Sequence, residues 1–157
     1  MPDAERVFTH DRAHQSLNLS ECRRLLDSER LGRIALSVAA LPVVVPVFYR
    51  IVGDRIAFGV EAESLFAALS DNVVAFEVDH VDQETNVGWT VLVVGRSRPA
   101  PDLSLSAFSF PGFQLSPTSP FPPLERLIGI TMDRISGQET IERDVDHAPA
   151  LVSEAPA

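Results

Sequence analysis

Few residues in this chain carry chemistry at a spacing that a reaction or a ligand could use. Ser64 is the most suggestive of them. A strand ends at Phe58-Gly59, a short loop follows, and Ser64 opens a short helix running to about Asp71. A helix N-terminus presents free N–H groups and the positive end of the dipole, which suits a phosphate. The same serine also reads as a plain N-cap. His80 stands in Glu77-Val78-Asp79-His80-Val81-Asp82, a run that suggests a metal site at first sight. Alternation along a continuing strand would place Asp79 and His80 on opposite faces, so a solvated turn is the better reading. Cys22 is the only cysteine. It falls on the apolar stripe of a helix with no histidine evidently paired to it, as a small core residue does and a nucleophile does not. The other histidines, His10, His14 and His147, lie near the two ends. A glycine-rich phosphate loop, a Gly-x-Ser-x-Gly elbow and a His-Glu-x-x-His pair are all absent.

Composition narrows the chemistry further. The chain has no lysine: all 13 basic residues are arginine. Schiff-base catalysis by lysine is therefore excluded. Any phosphate or carboxylate must be gripped by arginine, backbone N–H groups or hydroxyls. The net charge of −9 argues against a nucleic-acid partner, whose phosphates need a basic surface. No apolar run approaches the roughly 20 residues that span a bilayer, so no membrane partner is expected. The polar start, with Asp3, Glu5 and Asp11, lacks the basic and apolar stretches of a secretory signal, and a cytoplasmic location is expected. A single cysteine excludes an intramolecular disulfide and a multi-cysteine zinc site.

The elements that must position these residues follow from the pattern. A length of 157 residues with 45% hydrophobic content fits one domain with a real core. Residues 1–18 read as a flexible leader. Ser20 offers an N-cap, and Leu19, Cys22, Leu25 and Leu26 keep helical spacing, predicting an amphipathic helix over 20–30 that ends at Gly32. Ile34, Leu36 and Val38 then alternate as a strand does. A turn around Leu41-Pro42 leads into Val43 to Tyr49, where Pro46 demands an edge or a bulge. Gly53-Asp54 turns the chain into Arg55 to Gly59. Strands are predicted over Val73 to Val78, broken by the acidic stretch Glu77 to Glu84, and from Trp89 to about Arg98. Pro101 to Pro123 is a break holding six of the twelve prolines and four of the nine phenylalanines. Leu127 to Met132 and Ser136 to Ile141 close the domain, taken as 19–143, and 144–157 reads as a disordered tail. The order of elements predicts a mainly β fold, a small antiparallel barrel with short helices.

At this point the chain resembles the pyridoxamine 5′-phosphate oxidase-like flavin-binding proteins, especially the short actinobacterial type. The resemblance covers about residues 19–100, with a weaker echo at 126–139. It rests on an ordered set: Glu21-Cys22 and Leu25-Leu26, Gly32-Arg33-Ile34-Ala35, Val45-Pro46-Val47-Phe48-Tyr49, Gly53 to Phe58, Ser64-Leu65-Phe66, Val74 to Asp79, Gly88 to Arg96, and Ile135-Ser136-Gly137. It implies an antiparallel split barrel that forms a homodimer. A flavin such as FMN, or a deazaflavin, would lie in a groove between the subunits. The strand carrying Pro46, Val47, Phe48 and Tyr49 would run along the isoalloxazine ring. Phe58 closes the strand before the phosphate loop, and Ser64 would match the hydroxyl residue at the phosphate. Trp89 and Thr90 would stand near the ring or across the dimer interface, with Arg33 and Arg96 as basic neighbours. Trp89 equally suits a structural anchor.

The departures carry as much information. The family commonly follows its Ser/Thr with a lysine that pairs with the phosphate; here that position is Leu65. Glycine commonly precedes it; here that is Glu63. Arginine often ends the strand before; here that is Gly59. Glu61 and Glu63 would set two negative charges beside a dianion, and unit charges about 4 Å apart interact by roughly 4 kcal/mol at an effective dielectric of 20. A lost charge-assisted bond adds about 1.5–3 kcal/mol. Two functions stay open: a flavin- or deazaflavin-dependent oxidoreductase, and a non-enzymatic member that binds another small molecule or serves as an interaction module.

Overall fold

In the computed structural model of the chain, residues 12–60, 62–103 and 126–142 are described. The elements are β1 (Arg12–Ser16), α1 (Leu19–Ser28), β2 (Leu31–Val38), β3 (Leu41–Val52), β4 (Arg55–Val60), α2 (Glu63–Ala68), β5 (Asn72–Val81), β6 (Gly88–Pro99), β7 (Arg126–Thr131) and β8 (Arg134–Glu142). Every pairing is antiparallel, in the order β1-β8-β6-β5-β2-β3-β4-β7. Strand β7 also returns to β6, which closes six strands into a barrel. The expected mainly β split barrel is the fold the chain adopts. No described helix is long and apolar enough to cross a membrane.

The split lies on β6. Its Trp89–Val94 half pairs with β8, and its Ser97–Pro99 end pairs with β7. Between the two stands Gly95, and an added β-carbon there would lie 1.6 Å from the Thr131 carbonyl oxygen. The Thr131 hydroxyl accepts the Arg96 N–H at 3.0 Å, satisfying an amide at the point where β6 changes partners. Alternation fills the barrel with Ile34, Ile56, Phe58, Val74, Phe76, Val91, Val93, Ile128 and Ile130, all fully or nearly fully buried. Helix α1 covers one end with Cys22, Leu25 and Leu26. It is tied down by the buried Tyr49 hydroxyl, which donates to the Leu26 carbonyl. The Tyr49 ring meets Phe76 edge-on at 4.8 Å.

Several boundaries differ from expectation for physical reasons. Residues 12–16, read as leader, form β1 on β8, a pairing set by a strand at the far end of the chain. Asn18 caps α1, and Ser20 lies inside it. The Asn18 side chain accepts the Glu21 N–H, and the Glu21 carboxylate accepts the Asn18 N–H, both at 2.9 Å. The helix ends at Ser28, so Gly32 belongs to β2. The β2–β3 turn is Ala39-Ala40, both at positive φ (50° and 65°), and Leu41-Pro42 already belongs to β3. Strand β5 runs to Val81, past the acidic residues expected to break it. Helix α2 is Glu63–Ala68, shorter than Ser64 to Asp71. Strand β8 begins at Arg134 rather than Ser136. Pro46 lies on an edge as expected, since β4 pairs with β3 only from Tyr49 to Val52. The Tyr49 N–H bonds the Arg30 carbonyl at 2.9 Å, so odd-numbered residues of β3 face β2 and both prolines face the open side. Most of the predicted 101–123 break (104–123), residues 1–11 of the leader and the 144–157 tail lie outside the described residues.

Candidate functional site

The site is built on the outer face of the sheet, where β2, β5 and β6 run side by side. Strict alternation sends Ile34, Phe76 and Val91 inward and leaves Arg33, Glu77 and Thr90 outside. Register puts Arg33 directly opposite Glu77. The Arg33 guanidinium donates to Glu77 at 3.3 Å and to the Asp79 carboxylate. Asp79 first, and Glu77 after it, hold that guanidinium above its usual range. The Thr90 hydroxyl donates to the other Glu77 oxygen at 3.3 Å. One polar chain thus crosses three strands, from Arg33 through Glu77 to Thr90.

An open cleft lies beside this chain. Glu77, Asp79, Trp89 and Thr90 line it from β5 and β6, and His14, Gln138 and Thr140 line it from β1 and β8. Trp89 also packs against the core, and its ring stacks on His80 at 6.3 Å between centroids. His80 Nδ1 lies 3.3 Å from a Glu29 carboxylate oxygen. Asp79 and His80 do fall on opposite faces, but within a continuing strand instead of the expected solvated turn. Among the described residues no three His, Cys, Asp or Glu side chains gather as metal ligands would. Burial pushes the Cys22 thiol up, which suits a packed residue and not a nucleophile.

The sequence-predicted residues divide into five groups. Trp89 and Thr90 line the cleft, and Arg33 is linked to it through Glu77. Pro46 lies directly opposite Arg33 across the β2–β3 ladder, and Phe48 lies opposite Leu31, so both stand on the same outer face. Val47, Tyr49 and Phe58 are buried inside the barrel, where burial also drives the Tyr49 phenol far above its ordinary value. Val47 and Tyr49 present no side chain to the outer face, and the Tyr49 N–H is already bonded to Arg30. Arg96 is distant from the cleft: it sits six residues beyond Thr90 on β6, about 20 Å at a strand's rise. There it binds Asp71 at 3.0 Å, with Arg98 on the same carboxylate at 3.3 Å.

Ser64 and Leu65 lie apart, at α2. Ser64 is exposed and is not the cap; Ala62 is, and it makes no side-chain cap bond. Leu65 packs against the core. The Glu63 carboxylate stands 3.8 Å from the Arg126 guanidinium, which lies 5.5 Å over the Phe66 ring. Glu61 lies outside the described residues. The donor set at this end therefore does not fit a phosphate: a carboxylate, an apolar side chain and an engaged arginine stand where an anion would need free donors. Arg33, Arg55, Arg96 and Arg98 are likewise already paired with carboxylates.

Sequence reasoning missed His14, Gln138 and Thr140 as cleft residues, and Arg126 as the partner of Glu63. His14 and Gln138 reach the cleft through pairings between opposite ends of the chain, which leave no local periodic signal. A usable signal did exist for Glu77: it shares outward parity with Asp79 on a strand whose other face carries the apolar run Val74, Phe76 and Val78.

A sequence profile described as pyridoxamine 5′-phosphate oxidase matches residues 18–138. An uncharacterized protein of Mycobacterium tuberculosis is 34% identical over 92 residues, covering 55% of this chain and 60% of that relative. The chain thus spans less than two thirds of that relative's length. The solved FAD-binding protein of Mycobacterium smegmatis superposes with a TM-score of 0.62 at 25% identity, over 81% of this chain and 98% of that one. An FAD-binding protein of Mesorhizobium loti gives a TM-score of 0.66 at 23% identity, over 80% of this chain and 97% of that one, a likeness of fold.

Proposed function

Because this chain belongs to the pyridoxamine 5′-phosphate oxidase family, we propose that it is a flavin- or deazaflavin-dependent oxidoreductase that receives the isoalloxazine ring on its outer sheet face. The observation that carries this reading is the Arg33–Glu77–Thr90 chain, whose Glu77 and Thr90 line an open cleft together with Trp89. Arg33 neutralises two carboxylates there, and the Thr90 hydroxyl and Gln138 amide offer hydrogen bonds to the rim of a planar ring. Two FAD-binding structural neighbours add support. The redox chemistry would be the ring's own, with orientation and local charge as the chain's contribution. The substrate is a small molecule of unassigned class.

The ring-binding unit is proposed to be a homodimer. Val44, Ala35, Ala75 and Val94 lie side by side in one register row across β3, β2, β5 and β6. Val73 and Leu92 extend this band, with Val44 62%, Val73 56% and Leu92 39% exposed. An apolar band of this extent on a sheet face suits burial against a second copy by a two-fold axis. Light scattering tests this: the native chain should be a dimer and Leu92→Arg a monomer.

A second reading is kept because of Glu63, Leu65 and Gly59. It is a non-enzymatic family member that binds another ligand or partner. A purified protein that is yellow and releases stoichiometric flavin on denaturation supports the oxidoreductase. A colourless protein whose Tm ignores added FMN and deazaflavin supports the second reading.

A further inference from the structure

We infer that two copies of this chain meet with their strands running oppositely, so that a basic cluster at one end of the outer face lies over the acidic cluster at the other end of the partner subunit's face. This rests on the homodimer reading above and fixes which of two two-fold arrangements the dimer takes. Two clusters of opposite sign are built alike on this face. Arg33 is shared by Glu77 and Asp79, two acids on one base. Asp71 is shared by Arg96 and Arg98, two bases on one acid. The first cluster has one surplus negative charge and the second one surplus positive charge. Each of the six side chains is more than a third exposed. Register places the clusters symmetrically about the apolar row, in which Ala75 and Val94 are paired. Glu77 and Asp79 stand two and four residues beyond Ala75 on β5, and Arg96 and Arg98 two and four residues beyond Val94 on β6. The two strands are antiparallel, so the clusters lie on opposite sides of the row, each reaching about 13 Å from it at a strand's rise. Two identical sheet faces in contact are related by an axis lying in the plane between them. An axis along the strands sets each cluster against its own counterpart, like against like. An axis along the apolar row sets basic on acidic at both ends, and neighbouring strands, about 4.8 Å apart, are within an arginine's reach. Arg134 stands in the row on β8 and would face its own counterpart under this axis, one like pair set against two unlike contacts. Charge therefore selects the axis across the strands. Because Glu77 and Asp79 line the cleft, the arginines of the second copy stand at its edge, and each copy completes the other's site.

The experiment is sedimentation equilibrium of the full chain, of Arg98→Glu, of Asp79→Arg and of the double variant. Each single substitution reverses the sign of one cluster and leaves the other as it was. Each should weaken the dimer by about a hundredfold, tenfold at each of the two symmetric contacts. The double variant exchanges the two clusters and should return to within about fivefold of the native dimer. Its recovery would also show that neither substitution costs the fold. Asp79→Arg adds two positive charges to a chain of net −9, so general repulsion alone would make its dimer tighter; weakening is the mark of a local contact. A native dimer whose single variants associate as tightly as it does would overturn the inference and leave the dimer standing. So would a double variant no better than the single ones. A native chain that stays monomeric would overturn the dimer reading and this inference with it.

Discussion

Gly95 and Thr131 approach so closely that a β-carbon on Gly95 would stand 1.6 Å from the Thr131 carbonyl oxygen. This contact is where β6 leaves β8 and takes up β7, so it holds the barrel closed while freeing the outer half of β6 for the cleft. Gly95→Ala must push two backbones apart and should lower stability by at least about 3 kcal/mol. Gly129→Ala is the control, because its nearest neighbours lie at 3.5 Å, and it should cost under about 1 kcal/mol. Urea denaturation of the two variants reads the difference.

The Ala39-Ala40 turn holds two alanines in the left-handed region. Each L-residue there costs roughly 1–2 kcal/mol, which glycine avoids and asparagine reduces. Ala40→Gly should therefore raise stability by about 1 kcal/mol, and Ala39→Asn combined with it by somewhat more. A thermal melt would show Tm moving upward; an unchanged or lower Tm would mean the turn is not held in this conformation.

Asp71 holds Arg96 and Arg98 at once, and Arg96 first, Arg98 second, keep its carboxyl below the ordinary aspartate value of 3.8. A carboxyl with a depressed folded value contributes stability above its unfolded value and loses it as pH falls through the folded one. Stability should fall as the medium is acidified below the ordinary aspartate value, and Asp71→Asn should flatten that slope. Asparagine tolerates the positive φ of 126° at this position better than most residues, so the substitution isolates the charge. Chemical denaturation at several pH values checks it. Equal slopes for the two proteins would remove Asp71 from the account.

Much of this barrel was legible in local pattern. Ile34 and Leu36 on β2, and the alternation of Val91 and Val93 on β6, declare an inside and an outside without any knowledge of partners. Pro46 declares an edge because it has no N–H to give. What was hidden depends on contacts distant in sequence. Arg12 to Ser16 carry no apolar alternation and become a strand only because β8 offers an edge. Glu77 is just an acidic residue until register sets it opposite Arg33. Ser64 looked like a cap because serine caps helices well, yet the helix began at Glu63, a residue earlier, and Leu65 was drawn into the core. Val47, Tyr49 and Phe58 lie on the inner faces of their strands, a matter of one-residue parity that depends on register. The strand framework was therefore the more legible part, and the side-chain contacts at α2 the less legible.

Thr90 tests the polar chain across the cleft. Thr90→Val keeps the shape and removes the hydrogen bond to Glu77, leaving that carboxylate to Arg33 alone. Ring affinity should drop by about tenfold, the upper end of the net worth of one hydrogen bond, while Tm falls by roughly 2–4 °C for each kcal/mol lost at Glu77. Fluorescence of Trp89, the only tryptophan, follows binding at the cleft edge. A variant that binds as tightly as the native chain would place the ring elsewhere.

Equilibrium dialysis of the purified full-length chain against riboflavin bears most directly on the claim that this barrel receives a flavin ring. The account predicts saturable binding, stoichiometric with the chain, that quenches Trp89 and is weakened by Thr90→Val. Retention no greater than in a chamber without protein, up to the solubility limit of riboflavin, would contradict it.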